Sequence, residues 1–253
     1  MIPKIIHMCW LSGDPFPEKI QKCIDSWKNI MPDWDIIIWD TKRFDIHKNT
    51  WTNQAFESKK YAFVADYIRF YALYNYGGVY LDSDIEVLKS FNNLIQNKCF
   101  FGFEYSGAPE AAVVASEKNN NWIKIALEWY ENKEFINKDG TYNITTCPII
   151  LKYAFEKAYN ISLIDNGVIQ KIEDISIFPY EYFSPKNGFT DKIICTQNTY
   201  CIHHFNSSWL KLGFFKRKKR LIHIFLIKIL GKNKYNLLMH KIWTKKISSL
   251  GDN

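Results

Sequence analysis

The chain has 253 residues, of which 47% are apolar and 17% aromatic; that is enough to bury a sizeable core and excludes a disordered protein. Its net charge of +7 is unevenly placed. Residues 1–210 carry 21 Lys/Arg against 25 Asp/Glu, whereas 211–253 carry 12 against one. The body is acidic and shows no recognised nucleic-acid motif, so nucleic acid is not an expected partner. Six cysteines (Cys9, Cys23, Cys99, Cys147, Cys195 and Cys201) show no paired metal-ligand spacing and read as reduced core residues.

Met1-Ile2-Pro3-Lys4 leads straight into a first apolar run, Ile2 to Trp10, with no signal-peptide pattern, and a cytoplasmic protein is the expectation. A helical pattern follows over Glu18 to Met31, then strand-like Asp35 to Trp39, with Trp27 and Trp34 placed to pack where helix and turn meet the first two strands. Tyr61 to Tyr76 is apolar and aromatic at helical spacing, stopped by Gly77-Gly78, and Val79-Tyr80-Leu81 reads as a short buried strand. Cys99 to Phe103 is a further strand. Ser106 to Asn121 reads as loop, Trp122 to Asn132 and Ile149 to Tyr159 as helices, and Tyr200 to Phe205 as a strand. This alternation predicts an α/β protein, whose ligand sites lie at the carboxyl ends of strands.

Chemistry concentrates at two places in that order. Asp66 and Arg69 are neighbours on one face of the Tyr61 to Tyr76 helix. The strand after Gly77-Gly78 runs into Asp82-Ser83-Asp84, whose two carboxylates would point the same way in extended geometry. Convergent carboxylates repel unless a cation compensates, and oxygen ligands suit Mg²⁺ or Mn²⁺. A metal there could bridge a diphosphate. Glu104, at the end of the Cys99 to Phe103 run, reads equally as an acceptor contact or a solvated strand end. His7, His47, His223 and His240 read as structural.

The segments Ile2 to Trp10, Cys23 to Lys28 with Pro32-Asp33-Trp34, Ala65 to Asp84, and His203-His204-Phe205-Asn206-Ser207-Ser208-Trp209 together resemble glycosyltransferase family 32, the retaining enzymes with an Asp-x-Asp sugar-binding region. They are more distantly similar to the glucosyltransferase domains of large clostridial toxins. The resemblance implies a GT-A-type, Rossmann-like single domain over residues 1–210; the basic amphipathic helical tail read from charge and apolar runs, 211–253, lies outside it. It implies a catalytic set of Asp66, Arg69, Asp82 and Asp84. Donor contacts would come from Trp10 on the base, from Tyr61, Asp66, Arg69, Gly78 and Asp82, and from Ser207 and Trp209. Metal ligands would be Asp82, Asp84 and one of His203 and His204, which face opposite sides of a strand. His204 is favoured because its spacing to Ser207 and Trp209 matches the toxin-type motif, where the ligand is a glutamate.

The expected activity is therefore metal-dependent (Mn²⁺ or Mg²⁺), retaining transfer from a nucleotide-sugar, with UDP favoured, to a glycan acceptor on a lipid carrier in surface-polysaccharide synthesis such as capsule. The alternative is a non-catalytic glycan- or nucleotide-binding subunit of such an assembly. In the tail, Lys216-Arg217-Lys218-Lys219-Arg220 precedes a ten-residue apolar run, Leu221 to Leu230, too short to span a bilayer. It suits either peripheral docking on anionic lipid at the inner face of the cell membrane or packing on the domain.

Overall fold

The computed structural model describes residues 1–205 and 214–251, with side chains in the tail over 221–244. Its centre is a seven-stranded mixed sheet built from β1 (Ile5–Cys9), β2 (Asp35–Trp39), β3 (Gly78–Leu81), β5 (Cys99–Phe103), β6 (Pro109–Ser116), β7 (Gln170–Ile172) and β8 (Ile175–Phe178), in the order β2-β1-β3-β6-β5-β8-β7. β4 (Ile85–Val87) and β9 (Cys201–His203) form a separate antiparallel pair. Successive side chains of each strand point to opposite faces, and this splits the core in two. Ile6, Met8, Val79 and Leu81 join Ile20, Ile24 and Trp27 of α1 (Glu18–Ile30) on one face. Tyr80, Phe101 and Val114 join α2 (Thr50–Glu57), α3 (Tyr61–Tyr76), α4 (Asn121–Glu128) and α5 (Cys147–Tyr159) on the other.

The α/β class read from the sequence is the observed one, and the first strands and helices fall where expected. Trp27 is fully buried and its indole N–H donates to the Ile85 carbonyl at 2.7 Å; Trp34 donates to Asn92 Oδ1. The segment read as loop is the main departure. Residues 109–116 form β6, an eight-residue strand buried along its whole length, pairing antiparallel with both β3 and β5. Its Pro-Glu-Ala-Ala start and Ala/Ser end lack the β-branched or aromatic side chains that mark a strand, and small side chains suit a strand packed on both faces. Cys195 is exposed, unlike the other five cysteines.

Gly77 and Gly78 carry the passage from α3 into β3. Gly77 ends the helix at φ 67°, and Gly78 sits at φ 110°. A Cβ on Gly78 would lie 2.6 Å from the Ile5 carbonyl oxygen, so only glycine allows β3 to start this close to β1.

His7, on β1, explains part of that geometry. It is fully buried; its Nε2–H donates to the Gly77 carbonyl at 2.7 Å and its Nδ1 accepts the Trp39 indole N–H at 3.1 Å. The accepting Nδ1 requires a neutral ring, and burial pushes its pKa down from 6.5 to about 4. Above pH 6.5 the ring is neutral in both states and contributes no pH dependence. As pH falls from 6.5 towards 4 the unfolded chain takes up a proton that the folded one refuses, so stability drops, by about 2.5 kcal/mol at pH 4.5. Urea unfolding at pH 7 and 4.5 should show a loss larger by that amount in the wild type than in His7→Gln; equal losses would remove His7 as the cause.

The tail forms α6 (Phe214–Gly251), broken at Gly231, where φ is 72° and ψ 160°. Beyond the break it packs on the domain. Tyr235 and Asn236 are buried, Asn236 Nδ2 donates to the Asp165 carboxylate at 3.1 Å, and Lys232 sits over the Tyr180 ring. Buried Lys152 of α5 donates to His240 at 3.1 Å. Before the break, Leu221, Ile222, Phe225 and Ile229 are each more than half exposed on one side of the helix. Among the described residues no helix is long and apolar enough to cross a membrane.

Candidate metal and donor site

β3 ends at Leu81, and the next residues turn rather than extend: the Ile85 N–H donates to the Asp82 carbonyl, and the chain enters β4. The Asp82 N–H is fixed in turn by the Ala112 carbonyl of β6 at 2.9 Å. β9 pairs with β4 in the register Ile85 to His203, which carries a histidine 119 positions downstream to the side of Asp84. One ligand atom each from Asp82, Asp84 and His203 lie within 4.8 Å of one another. His203 Nε2 faces Asp84 Oδ1 at 3.6 Å.

His203, rather than His204, thus joins the acidic pair. His204, just past the end of β9, meets Glu86 at 2.8 Å. The β4–β9 register thus places His203 beside Asp84, where the sequence favoured His204. Ser207 and Trp209 lie outside the described residues.

Beneath the cluster, Arg69 on α3 bridges two carboxylates, with Nη2 2.8 Å from Asp82 Oδ1 and Nη1 3.3 Å from Asp66 Oδ1. Its guanidinium stacks over the Tyr80 ring at 4.5 Å, and its side chain is 4% exposed. Buried this deeply, Arg69 holds Asp82 from behind. Asp66 also accepts the Cys147 N–H at the start of α5, where the Thr146 side chain makes no cap. Burial pushes Asp66 up to about 6, with Arg69 holding it down and Asp82 adding to the rise.

The other sequence-derived donor residues sit apart in role. Trp10, just past β1, is half-buried, packs edge-on against Phe16 at 5.0 Å and donates its indole N–H to the Asp14 carbonyl. Tyr61 opens α3 and packs on Phe56. Gly78 is buried against β1, where its lack of a side chain serves strand packing.

Glu110 is a member of the cluster that sequence reasoning missed. It is 1% exposed on β6, inside the segment read as loop, and its Oε2 lies 3.1 Å from His203 Nδ1. Glu104 is half-buried instead of a solvated strand end, accepts the Ser106 hydroxyl, and is pushed up by burial and by Glu110. Against the cost of burying its charge, Glu110, Asp84 and Asp82 together raise His203 to about 10. A site that holds a proton this tightly favours positive charge. Two carboxylates and an imidazole form a donor set that fits Mn²⁺ or Mg²⁺, so Asp82, Asp84 and His203 are the residues that would hold such an ion.

The α/β sheet thus carries an Asp-x-Asp turn at the end of β3, backed by a buried Arg and faced by a histidine. Residues 17–101 match the family described as the glycosyltransferase sugar-binding region containing the DXD motif. Over 93% of its length the chain is 25% identical to an uncharacterised glycosyltransferase of Acanthamoeba polyphaga mimivirus, spanning 90% of that protein. Over 62% of its length it is 31% identical to inositol phosphoceramide mannosyltransferase 1 of Schizosaccharomyces pombe, and spans about half (52%) of that relative. Similar solved structures include the PaToxG glycosyltransferase, at 22% identity, 63% of this chain and 70% of that one, with a TM-score of 0.49. The galactosyltransferase LgtC is similar at 11% identity, 85% of this chain and 94% of that one, with a TM-score of 0.44. Over residues 17–101 the chain is thus similar to glycosyltransferases that carry the DXD motif.

Proposed function

We propose that this chain transfers a sugar from a nucleotide-activated donor, with UDP favoured, to a glycan acceptor in cell-surface polysaccharide synthesis, with retention of anomeric configuration. The observation that carries the reading is the convergence of Asp82, Asp84 and His203 at the end of a buried strand within the stretch, residues 17–101, that matches the DXD-family model. A divalent cation bound there would supply positive charge against the diphosphate leaving group, where negative charge grows as the anomeric carbon becomes oxocarbenium-like. Arg69 and Asp66 hold Asp82 in place. Trp10 offers an aromatic face for a base, and Ser207 and Trp209 are assigned to the donor by sequence alone. Retention fits a front-face path in which the departing diphosphate helps deprotonate the acceptor hydroxyl.

A lipid-linked acceptor agrees with the inositol phosphoceramide substrate in the names of the yeast relatives. The exposed face of Leu221, Ile222, Phe225 and Ile229, in a tail with 12 basic residues and one acid, suits peripheral contact with anionic lipid on the cytoplasmic side. The yeast names also put GDP-mannose beside UDP-sugars in the donor screen.

A screen of UDP-, GDP- and TDP-sugars, following nucleotide release with Mn²⁺, Mg²⁺ or chelator, tests the proposal. One donor should be consumed, with release lost on chelation. Metal-independent release would overturn the assignment of the Asp82 cluster, and no release or nucleotide binding with any donor would favour the non-catalytic subunit.

A further inference from the structure

Glu110 occupies a place that neither the DXD motif nor the histidine pair accounts for. Its two carboxylate oxygens are used separately. Oε1 accepts the Ala112 N–H at 2.8 Å, which pins the side chain to its own strand, and Oε2 faces His203 Nδ1 at 3.1 Å. The other ring nitrogen, Nε2, faces Asp84. The same stretch of β6 also fixes Asp82, through the Ala112 carbonyl. Two residues of one buried strand, Glu110 and Ala112, therefore set the backbone of one acidic ligand and the ring of the histidine opposite it.

We infer that Glu110 is a positioning residue for the metal centre, accepting a hydrogen bond from His203 Nδ1–H so that Nε2 presents its lone pair between Asp82 and Asp84. The inference rests on the reading that those three residues hold a divalent cation. An imidazole can ligate only through an unprotonated nitrogen, and the partner of the other nitrogen decides which one that is. A buried carboxylate, which accepts and cannot donate when ionised, keeps a proton on Nδ1, so that Nε2 is the nitrogen left free when the ring is neutral.

Glu110→Gln separates this role from simple packing, because the side chain keeps its size and loses one acceptor. If the amide carbonyl faces His203, the amide NH₂ confronts the Ala112 N–H. If the NH₂ faces His203, Nδ1 must accept and Nε2 becomes the protonated, non-ligating nitrogen. Either orientation should weaken the site.

The experiment is a Mn²⁺ titration of metal-free protein, with free ion read by electron paramagnetic resonance, for wild type, Glu110→Gln and Glu110→Asp. Nitrogen-15 correlation spectra of the His203 ring would be taken on the wild type with Mg²⁺. Expected are a Kd for Mn²⁺ about 10- to 100-fold weaker in Glu110→Gln, partial recovery in Glu110→Asp, and an Nδ1–H tautomer in the wild type. A Glu110→Gln Kd within twofold of wild type overturns the positioning role while leaving the metal site standing. An Nε2–H tautomer in the wild type overturns it without recourse to any variant, should Glu110→Gln fail to fold. If the wild type binds no Mn²⁺, the metal reading beneath it fails as well.

Discussion

Replacing Arg69 with Met should destabilise the protein by about 3–5 kcal/mol at neutral pH, because it strands two carboxylates that share one buried guanidinium. Asp66 lies high, at about 6, even with Arg69 beside it. Without that charge both acids should rise further above their unfolded values. A folded-state pKa above the unfolded one means that the folded chain binds more protons, so the deficit should grow as pH rises and shrink towards pH 5. Urea unfolding at pH 5.5 and 7.5 measures this directly. Adding Asp66→Asn to Arg69→Met should recover part of the loss. Arg69→Lys should recover less than charge alone suggests, since an ammonium cannot present two parallel N–H groups to two acids. Wild-type stability in Arg69→Met at both pH values would show that the Asp66–Arg69–Asp82 bridge is not a structural unit.

Asp84→Asn and His203→Ala should each lower metal-dependent donor turnover by about 10²-fold or more, equivalent to about 2.7 kcal/mol of transition-state stabilisation. His204→Ala should stay within about threefold of wild type, since that ring faces Glu86. The paired histidine variants separate the two positions, because both are partly buried imidazoles adjacent in the chain and differ in the carboxylates they face. Measuring kcat/KM for nucleotide release over a Mn²⁺ series checks it. Equal losses in His203→Ala and His204→Ala, or a loss confined to His204→Ala, would reassign the third ligand.

The two variant sets probe opposite sides of one carboxylate pair. Arg69 acts from the core, where its cost is read as stability. His203 acts from the mouth, where its cost is read as metal affinity and turnover. Asp82 connects them, being hydrogen-bonded to Arg69 behind and grouped with His203 in front. A change that moves Asp82 should therefore register in both measurements.

Local sequence determined the pieces whose signal is local. The spacing of Asp66 and Arg69 on α3, the Gly77-Gly78 stop and the Asp-x-Asp after a buried strand are readable because helix periodicity, positive φ and strand burial leave marks within a few residues. Tertiary structure alone decided what those marks meet. β6 was invisible as a strand because its stability comes from β3 and β5 on either side, not from its own alanines, and Glu110 was hidden with it. The choice of His203 over His204 follows from the β4–β9 register, a pairing across more than a hundred residues that no local propensity encodes. The burial of Arg69 between Asp66 and Asp82 follows from packing around Tyr80, which no local pattern on α3 encodes. The tail divides for the same reason. Its helical pattern was legible, but only contacts with Lys152, Asp165, Tyr180 and Phe189 distinguish the faces that dock from the face of Leu221, Ile222, Phe225 and Ile229 that stays exposed. Sequence specified which chemistry the chain carries; long-range pairing, whose energy resides in two distant segments at once, decided how that chemistry is assembled.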